Sequence, residues 1–232
     1  MGLLNHAEAV ALGLSFKVSL VGVTCSLPVA VGCAWLLART RFPGKPLFEG
    51  VLLLPLILPP VVTGYILLIV FGHHGPIGRV LDAIGLSVAF RWTGAALAAA
   101  VMAFPLLVVA LRNAFESVDR KLENAAATLG AGPWRIFFGI TLPLSSRGLV
   151  AGLALAFARA FGEFGATITF VSSIPGQTRT LPIALYEAIS TPGGEGAALR
   201  MTLVAVIVAL AASSIAALAL LRHGMRTAGV EA

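Results

Sequence analysis

Few side chains in this sequence are of the kind that performs chemistry, and their spacing argues against catalysis. Arg159 and Glu163 lie four residues apart in an otherwise apolar run, so on a helix they share a face and form an intramembrane ion pair. A charge at mid-bilayer costs about 2.5–3.5 kcal/mol, so both must face protein or water. That leaves two roles, a structural pair fixing helix packing or a group on a pathway. Ser145 and Ser146 have no histidine nearby and no G-x-S-x-G turn to raise a nucleophile. His73 and His74 lack other ligand types close in sequence and read as an exposed pair rather than a metal site. Cys25 and Cys33 are separated by about 12 Å on a helix, too far for a disulfide, and read as small packing residues. No G-x-x-x-x-G-K-[ST] loop is present to bind and hydrolyse nucleotide. The expectation is no catalytic residue, no metal and no cofactor: a conduit or receptor-like membrane part whose energy comes from another protein.

The elements that would hold these residues are set by composition. The chain has 232 residues, 58% hydrophobic and 11% charged, against about 25% charged in soluble domains. The apolar excess must face lipid. Five runs approach the roughly 20 residues that a hydrocarbon core requires: 12–38, 50–71, 93–111, 148–171 and 201–221. Isolated spans of that length must be helical, because unpaired backbone groups in lipid cost several kcal/mol each. The expected fold class is therefore all-α, a polytopic membrane protein with five transmembrane helices.

The net charge of +6 does not mark a nucleic-acid binder, since the bases lie in short loops rather than beside aromatics. Loops after the first, third and fifth runs hold ten of them, among them Arg39, Lys45, Arg112, Arg120 and Arg147, while the opposite loops hold four. The positive-inside rule puts the N-terminus outside and the C-terminus in the cytoplasm. Trp35 and Trp92 fall near span ends, where interfacial aromatics belong. The opening MGLLNHAEAV shows neither a cleaved signal peptide nor a myristoylation pattern.

Two runs are irregular. In the second, Pro55, Pro59, Pro60 and Gly64 break the backbone ladder at mid-membrane, which predicts a kinked or partly unwound helix with Thr63 near the break. The bland reading is a packing kink; the functional one is a pore-lining element. In the fourth, Gly162, Gly165 and Ala166 permit close helix approach. The stretch 172–196 is too polar to span, and its weakly apolar centre, 181–189, is expected as a short outer helix.

The segment 123–143, ENAAATLGAGPWRIFFGITLP, has a different pattern. Leu122, Ala125, Ala126 and Leu129 form a short apolar stripe, and Gly130 and Gly132 stop that helix. Pro133 suits the first position of a second helix, and Pro143 is expected to end it. By the charge count this helix–elbow–helix lies on the cytoplasmic side.

Here the chain resembles the cytoplasmic loop of binding-protein-dependent ABC importer permeases, whose pattern is E-A-A, three residues, G, nine residues, I-x-L-P. Gly130 is followed by nine residues and then Ile140, Thr141, Leu142 and Pro143. The glutamate position is held by Asn124, followed by Ala125 and Ala126, with Glu123 one residue earlier. Further stretches, FPGK at 42–45, LPPVVTGY at 58–65, GEFGAT at 162–167 and TPGGE at 191–195, are similar to the molybdate-type permeases of this group. The likeness runs from about residue 12 to 222, with sulfate and tungstate permeases as the nearest rivals.

The resemblance implies a type I importer permease domain over 12–222, with a coupling loop at 112–147. It implies a bacterial inner-membrane protein that works as a homodimer in the lipid bilayer. Two ATPase subunits would sit at the cytoplasmic face and a periplasmic molybdate-binding protein outside. Glu123, Asn124, Ala125, Ala126, Gly130, Ile140, Leu142 and Pro143 would couple to the ATPase. Thr63, Gly64, Thr167 and Thr169 are the candidate lining of the translocation path. An ion-coupled secondary transporter is the rival from another class; it would need an intramembrane acid unpaired by a base, and Glu163 has Arg159 beside it.

Overall fold

The computed structural model describes residues 4–227, with side chains described for 4–221. Among the described residues all regular structure is helical. The elements are α1 (His6–Arg39), α2 (Lys45–Ile57), α3 (Pro60–Phe71), α4 (Pro76–Ala83), α5 (Trp92–Glu116), α6 (Arg120–Thr128), α7 (Pro133–Ile136), a π-helical turn (Phe137–Thr141), α8 (Leu142–Phe161), α9 (Gly165–Val171), α10 (Leu181–Ile189) and α11 (Glu195–Thr227).

Four helical stretches are long and apolar enough to cross a bilayer: His6–Arg39, Trp92–Glu116, Pro133–Phe161 and Glu195–Leu221. A fifth crossing requires α2 and α3 together, and these are bent by 109° at their junction. The cause is local. Pro59 caps α3 and Pro60 opens it, so two consecutive N–H groups are missing from the ladder. The second apolar run is thus a sharply broken pair rather than a simple span, and the sequence places the break where it occurs.

The fourth run also differs from a single span. Its helix starts upstream, at α7, and stops at Gly162 before resuming as α9. Pro143 does not end a helix, contrary to expectation; it is the second residue of α8. Lacking an N–H, it cannot bond the carbonyl four residues back. The chain accommodates it by widening the preceding turn to i→i+5 bonds, with Leu142 N–H donating to the Phe137 carbonyl.

α5 lies at the centre, 61% of its apolar window being buried against 11% for α11, the least buried of the four. Around it, α1 and α8 pack through alanines such as Ala34, Ala95, Ala99 and Ala156, all with essentially no exposure. Lipid supplies no hydrophobic drive between helices, so such contacts rely on close backbone approach. At Gly22 the approach is tight enough that a Cβ would lie 2.7 Å from the Ala96 carbonyl oxygen.

Polar clasps close the two ends. At the N-terminal end of α1, Asn5 and Glu8 form a reciprocal capping box, and Arg200 of α11 donates two bonds to the Glu8 carboxylate. The same end carries α10, whose bounds match the expected outer helix; Leu181 N–H donates to the buried Ser15 hydroxyl at 2.7 Å. Lys17 sits over the Trp92 ring, 3.7 Å from its centroid. At the other end, Arg112 of α5 holds Glu49 of α2 and its own Glu116. In the connection between α3 and α5, His73 pairs with Asp82 of α4 at 2.7 Å, and its ring holds the Asp82 carboxyl below the ordinary value. Cys33 packs against the core as expected, whereas Cys25 is exposed on the surface of α1.

Candidate functional site

The hairpin α6–α7 stands at the end of the molecule where α1 and α5 finish and α8 begins. α6 forms because Asp119 accepts the Lys121 N–H at 2.9 Å, an N-cap that satisfies an otherwise orphaned donor. It stops at Gly130, with φ of 86°. Ala131 N–H reaches the Ala126 carbonyl and Gly130 N–H the Ala127 carbonyl, the paired bonds of a Schellman closure. Gly132 caps α7, and Pro133 opens it, where its missing N–H costs nothing. The helix–elbow–helix read from the sequence is present.

Its two faces differ. The outer face presents Leu122, Leu129, Trp134 and Phe138, which are 50%, 89%, 73% and 60% exposed. Trp134 and Phe138 stack with ring centroids 6.1 Å apart. Asn124, Ala125 and Gly130 are exposed beside them, Pro143 is exposed further along, and Ala126, Ile140 and Leu142 are half-buried. Exposed apolar side chains grouped in this way form a candidate docking surface.

The inner face carries Glu123. One carboxylate oxygen, Oε1, accepts from Arg39 Nη2 of α1 at 2.8 Å and from Thr141 Oγ1 at 2.6 Å. Arg39 also donates to the Val118 carbonyl, and Arg120 donates to the Ala38 carbonyl. Glu123 is therefore turned into the protein, where it ties α6 to the end of α1 and to the π turn that leads into α8. A cavity of about 280 Å³ lies behind this clasp, bordered by Trp35, Arg39, Arg120 and Asn124.

The second set of expected residues meets at the two helix breaks. α3 and α9 cross so closely that a Cβ on Gly64 would lie 2.6 Å from the Ala166 carbonyl oxygen, and one on Gly165 2.8 Å from Pro60 Cβ. Thr63 and Thr167 are buried at 6% and 1% exposure, and Thr63 Oγ1 has no bonding partner. Thr169 donates its hydroxyl to the Gly165 carbonyl at 2.8 Å. Thr63, Gly64, Thr167 and Thr169 are thus gathered where α3 and α9 meet, with Thr63 and Thr167 buried.

Arg159 and Glu163 pair as expected, at 2.5 Å, although Glu163 lies beyond the end of α8 rather than on its face. Its other oxygen accepts the Ala166 N–H at 2.9 Å and so caps α9. Glu163 is buried and Arg159 partly exposed, so the pair bridges the break between the two helices. No local pattern marks Arg39, Thr141, Glu8 or Arg200 as partners, because those pairs span 18 to 192 residues.

Residues 26–226 match the family described as the binding-protein-dependent transport system inner membrane component. The molybdenum transport system permease protein ModB of Escherichia coli K12 is 57% identical over 209 residues, covering 90% of this chain and 91% of the relative. ModB of Haemophilus influenzae is 55% identical over 204 residues, covering 88% and 89%. Among solved structures, the MetNI methionine ABC transporter in inward-facing conformations aligns with a TM-score of 0.65 at 16% identity, covering 94% of this chain and 96% of that one, and so shares the fold. These matches place the chain in the family of binding-protein-dependent transport system inner membrane components.

Proposed function

We propose that the chain is the membrane-spanning subunit of an ATP-driven importer that moves molybdate from a periplasmic receptor into the cytoplasm. It acts as a homodimer in the bacterial inner membrane, with two ATPase subunits at the α6–α7 end. The observation that carries the transport reading is the exposed apolar face of α6–α7, Leu129 with Trp134 and Phe138, beside an inward-turned polar clasp. An amphipathic helix that keeps its apolar face outward fits a groove on a partner. The substrate reading rests on the identity to the ModB proteins.

In this mechanism the outer face of α6–α7 docks on the ATPase, with Asn124, Ala125, Ala126 and Gly130 in the contact. ATP-driven closure pulls the hairpin, and the Arg39–Glu123–Thr141 clasp passes that displacement to α1 and α8. α8 leads through the Arg159–Glu163 bridge to α9, which packs on α3. Separation of α3 from α9 bares the hydroxyls of Thr63 and Thr167 and the backbone of the two breaks. Hydroxyl and backbone groups suit a dianion that must be released, since a cluster of arginines would retain it.

The test is uptake in proteoliposomes containing the permease, its ATPase and the receptor. Molybdate should accumulate only with ATP and receptor present. Uptake that proceeds without ATP overturns the reading in favour of an ion-coupled transporter. Tungstate and sulfate, offered with their own receptors, separate a molybdate-type permease from its rivals.

A further inference from the structure

Between α1, α8 and α11 lies a cavity of about 590 Å³ that the transport reading does not use. Its walls include Leu20 and Leu27 of α1, Ala154 and Phe157 of α8, and Ala211 and Ile215 of α11; Thr24 is the one polar residue among those described around it. A second cavity of about 260 Å³, nearer the α6–α7 end, is bordered by Ser146, Arg147, Val150 and Ala219. Val150 borders both, and the two share the α8–α11 contact. Along α8 the bordering positions 146, 147, 150, 153, 154 and 157 form one helical stripe, a groove of about 16 Å at 1.5 Å per residue. The small side chains of Ala154, Ala211 and Ala219 leave it open.

We propose that this groove is a phospholipid site, with one acyl chain lying between α1, α8 and α11 and the anionic headgroup phosphate at Arg147 and Ser146. The chemistry changes along the groove as a lipid's does. The stretch lined by α1, α8 and α11 is apolar, and the guanidinium and hydroxyl lie at the end where α8 meets the α6–α7 hairpin. Guanidinium matches phosphate geometry and charge, and basic pockets between spanning helices recognise anionic headgroups. Within a bilayer such a groove does not stay void, because an unfilled wall forfeits its dispersion contacts. The site joins α8, which continues from the hairpin, to the sparsely buried α11, so a bound lipid fixes the relation of the moving element to the membrane.

The experiment uses the purified permease with its partner subunits and phosphatidylglycerol carrying a photoreactive acyl chain. Labelled peptides should map to α1, α8 and α11, and Ala154→Phe should lose the label while eluting and melting as a folded protein. In native mass spectrometry, Arg147→Gln should retain about fivefold less phosphatidylglycerol relative to phosphatidylcholine, the effect of one interfacial base. Labelling of the wild type outside these helices overturns the proposal. So does undiminished labelling in folded Ala154→Phe, or cross-linking of a second copy of the chain into the groove.

Discussion

Glu123 is the residue whose role the structure redefines. Its neighbours Asn124 and Ala125 are exposed, but its carboxylate is held by Arg39 and Thr141, with Arg39 9% and Glu123 15% exposed at the side chain. Removing one partner of such a pair leaves the other charge uncompensated, which costs about 3–5 kcal/mol when burial is complete. Glu123→Ala should therefore destabilise the chain toward the lower end of that range, and Thr141→Val by about 1.5–3 kcal/mol, the worth of a bond to an ionised acceptor. Thermal unfolding in detergent checks both. The double variant Arg39→Met with Glu123→Met should recover much of the loss yet still depress uptake, since the clasp is gone; full uptake in the double variant excludes a transmitting role. Legibility at this scale follows sequence separation. Arg159 and Glu163, four apart, could be paired by helical spacing, whereas Arg39 with Glu123 and Glu8 with Arg200 are joined only by tertiary folding. Glu163 does more than its spacing suggested, since it also accepts the Ala166 N–H. Glu163→Ala should lower folded yield more than Arg159→Ala, which leaves the carboxylate still bonded to backbone; equal yields would mean that the cap contributes nothing.

At the scale of elements, the breaks were readable because proline and glycine act locally. The bend between α2 and α3 follows from Pro59 and Pro60, and the end of α6 from Gly130. Pro143 departs from its expected place for a related reason: it excludes one bond, and whether the chain stops or widens its turn depends on the packing that continues α7 into α8. α4 was not anticipated, being a single short amphipathic stretch in a loop. The two glycines that matter most do so differently. Gly64 has the Ala166 backbone against it, so Gly64→Leu should prevent α3 from packing on α9 and abolish folded yield, whereas Gly13→Ala, with nothing within 4 Å, should be nearly neutral. Gly130 has open space but a left-handed backbone, which costs an L-residue about 1–2 kcal/mol. Gly130→Val should insert and fold but lose coupling between ATP hydrolysis and uptake, and Gly130→Asn should retain it, because Asn tolerates that conformation. If Gly130→Val keeps both stimulated hydrolysis and uptake, the elbow does not transmit motion.

For the whole molecule, composition and run length carried the class and four of the five expected spans, the second run being a pair of helices bent by 109°. The sequence could not convey which run would be central, because α5 and α11 are similarly apolar and differ only in what surrounds them. Nor could it show that the breaks of the second and fourth runs meet, which brings two irregular helices into one close contact. Gly165 abuts Pro60 and Gly64 abuts Ala166, so the closure is made of backbone and small side chains with little to interlock. Such a contact can part without stripping large side chains from their pockets, as the proposed separation of α3 from α9 requires. Thr63, at 6% exposure with an unpaired hydroxyl, reports its state. In a variant carrying Thr63→Cys as its one reactive thiol, with Cys25→Ala and Cys33→Ala, an aqueous methanethiosulfonate reagent should label position 63 slowly at rest. During turnover with ATP, receptor and substrate the labelling should accelerate about tenfold or more, as the buried fraction exchanges with an open state. Equal rates in the two conditions would mean that α3 and α9 stay closed and that the substrate passes elsewhere.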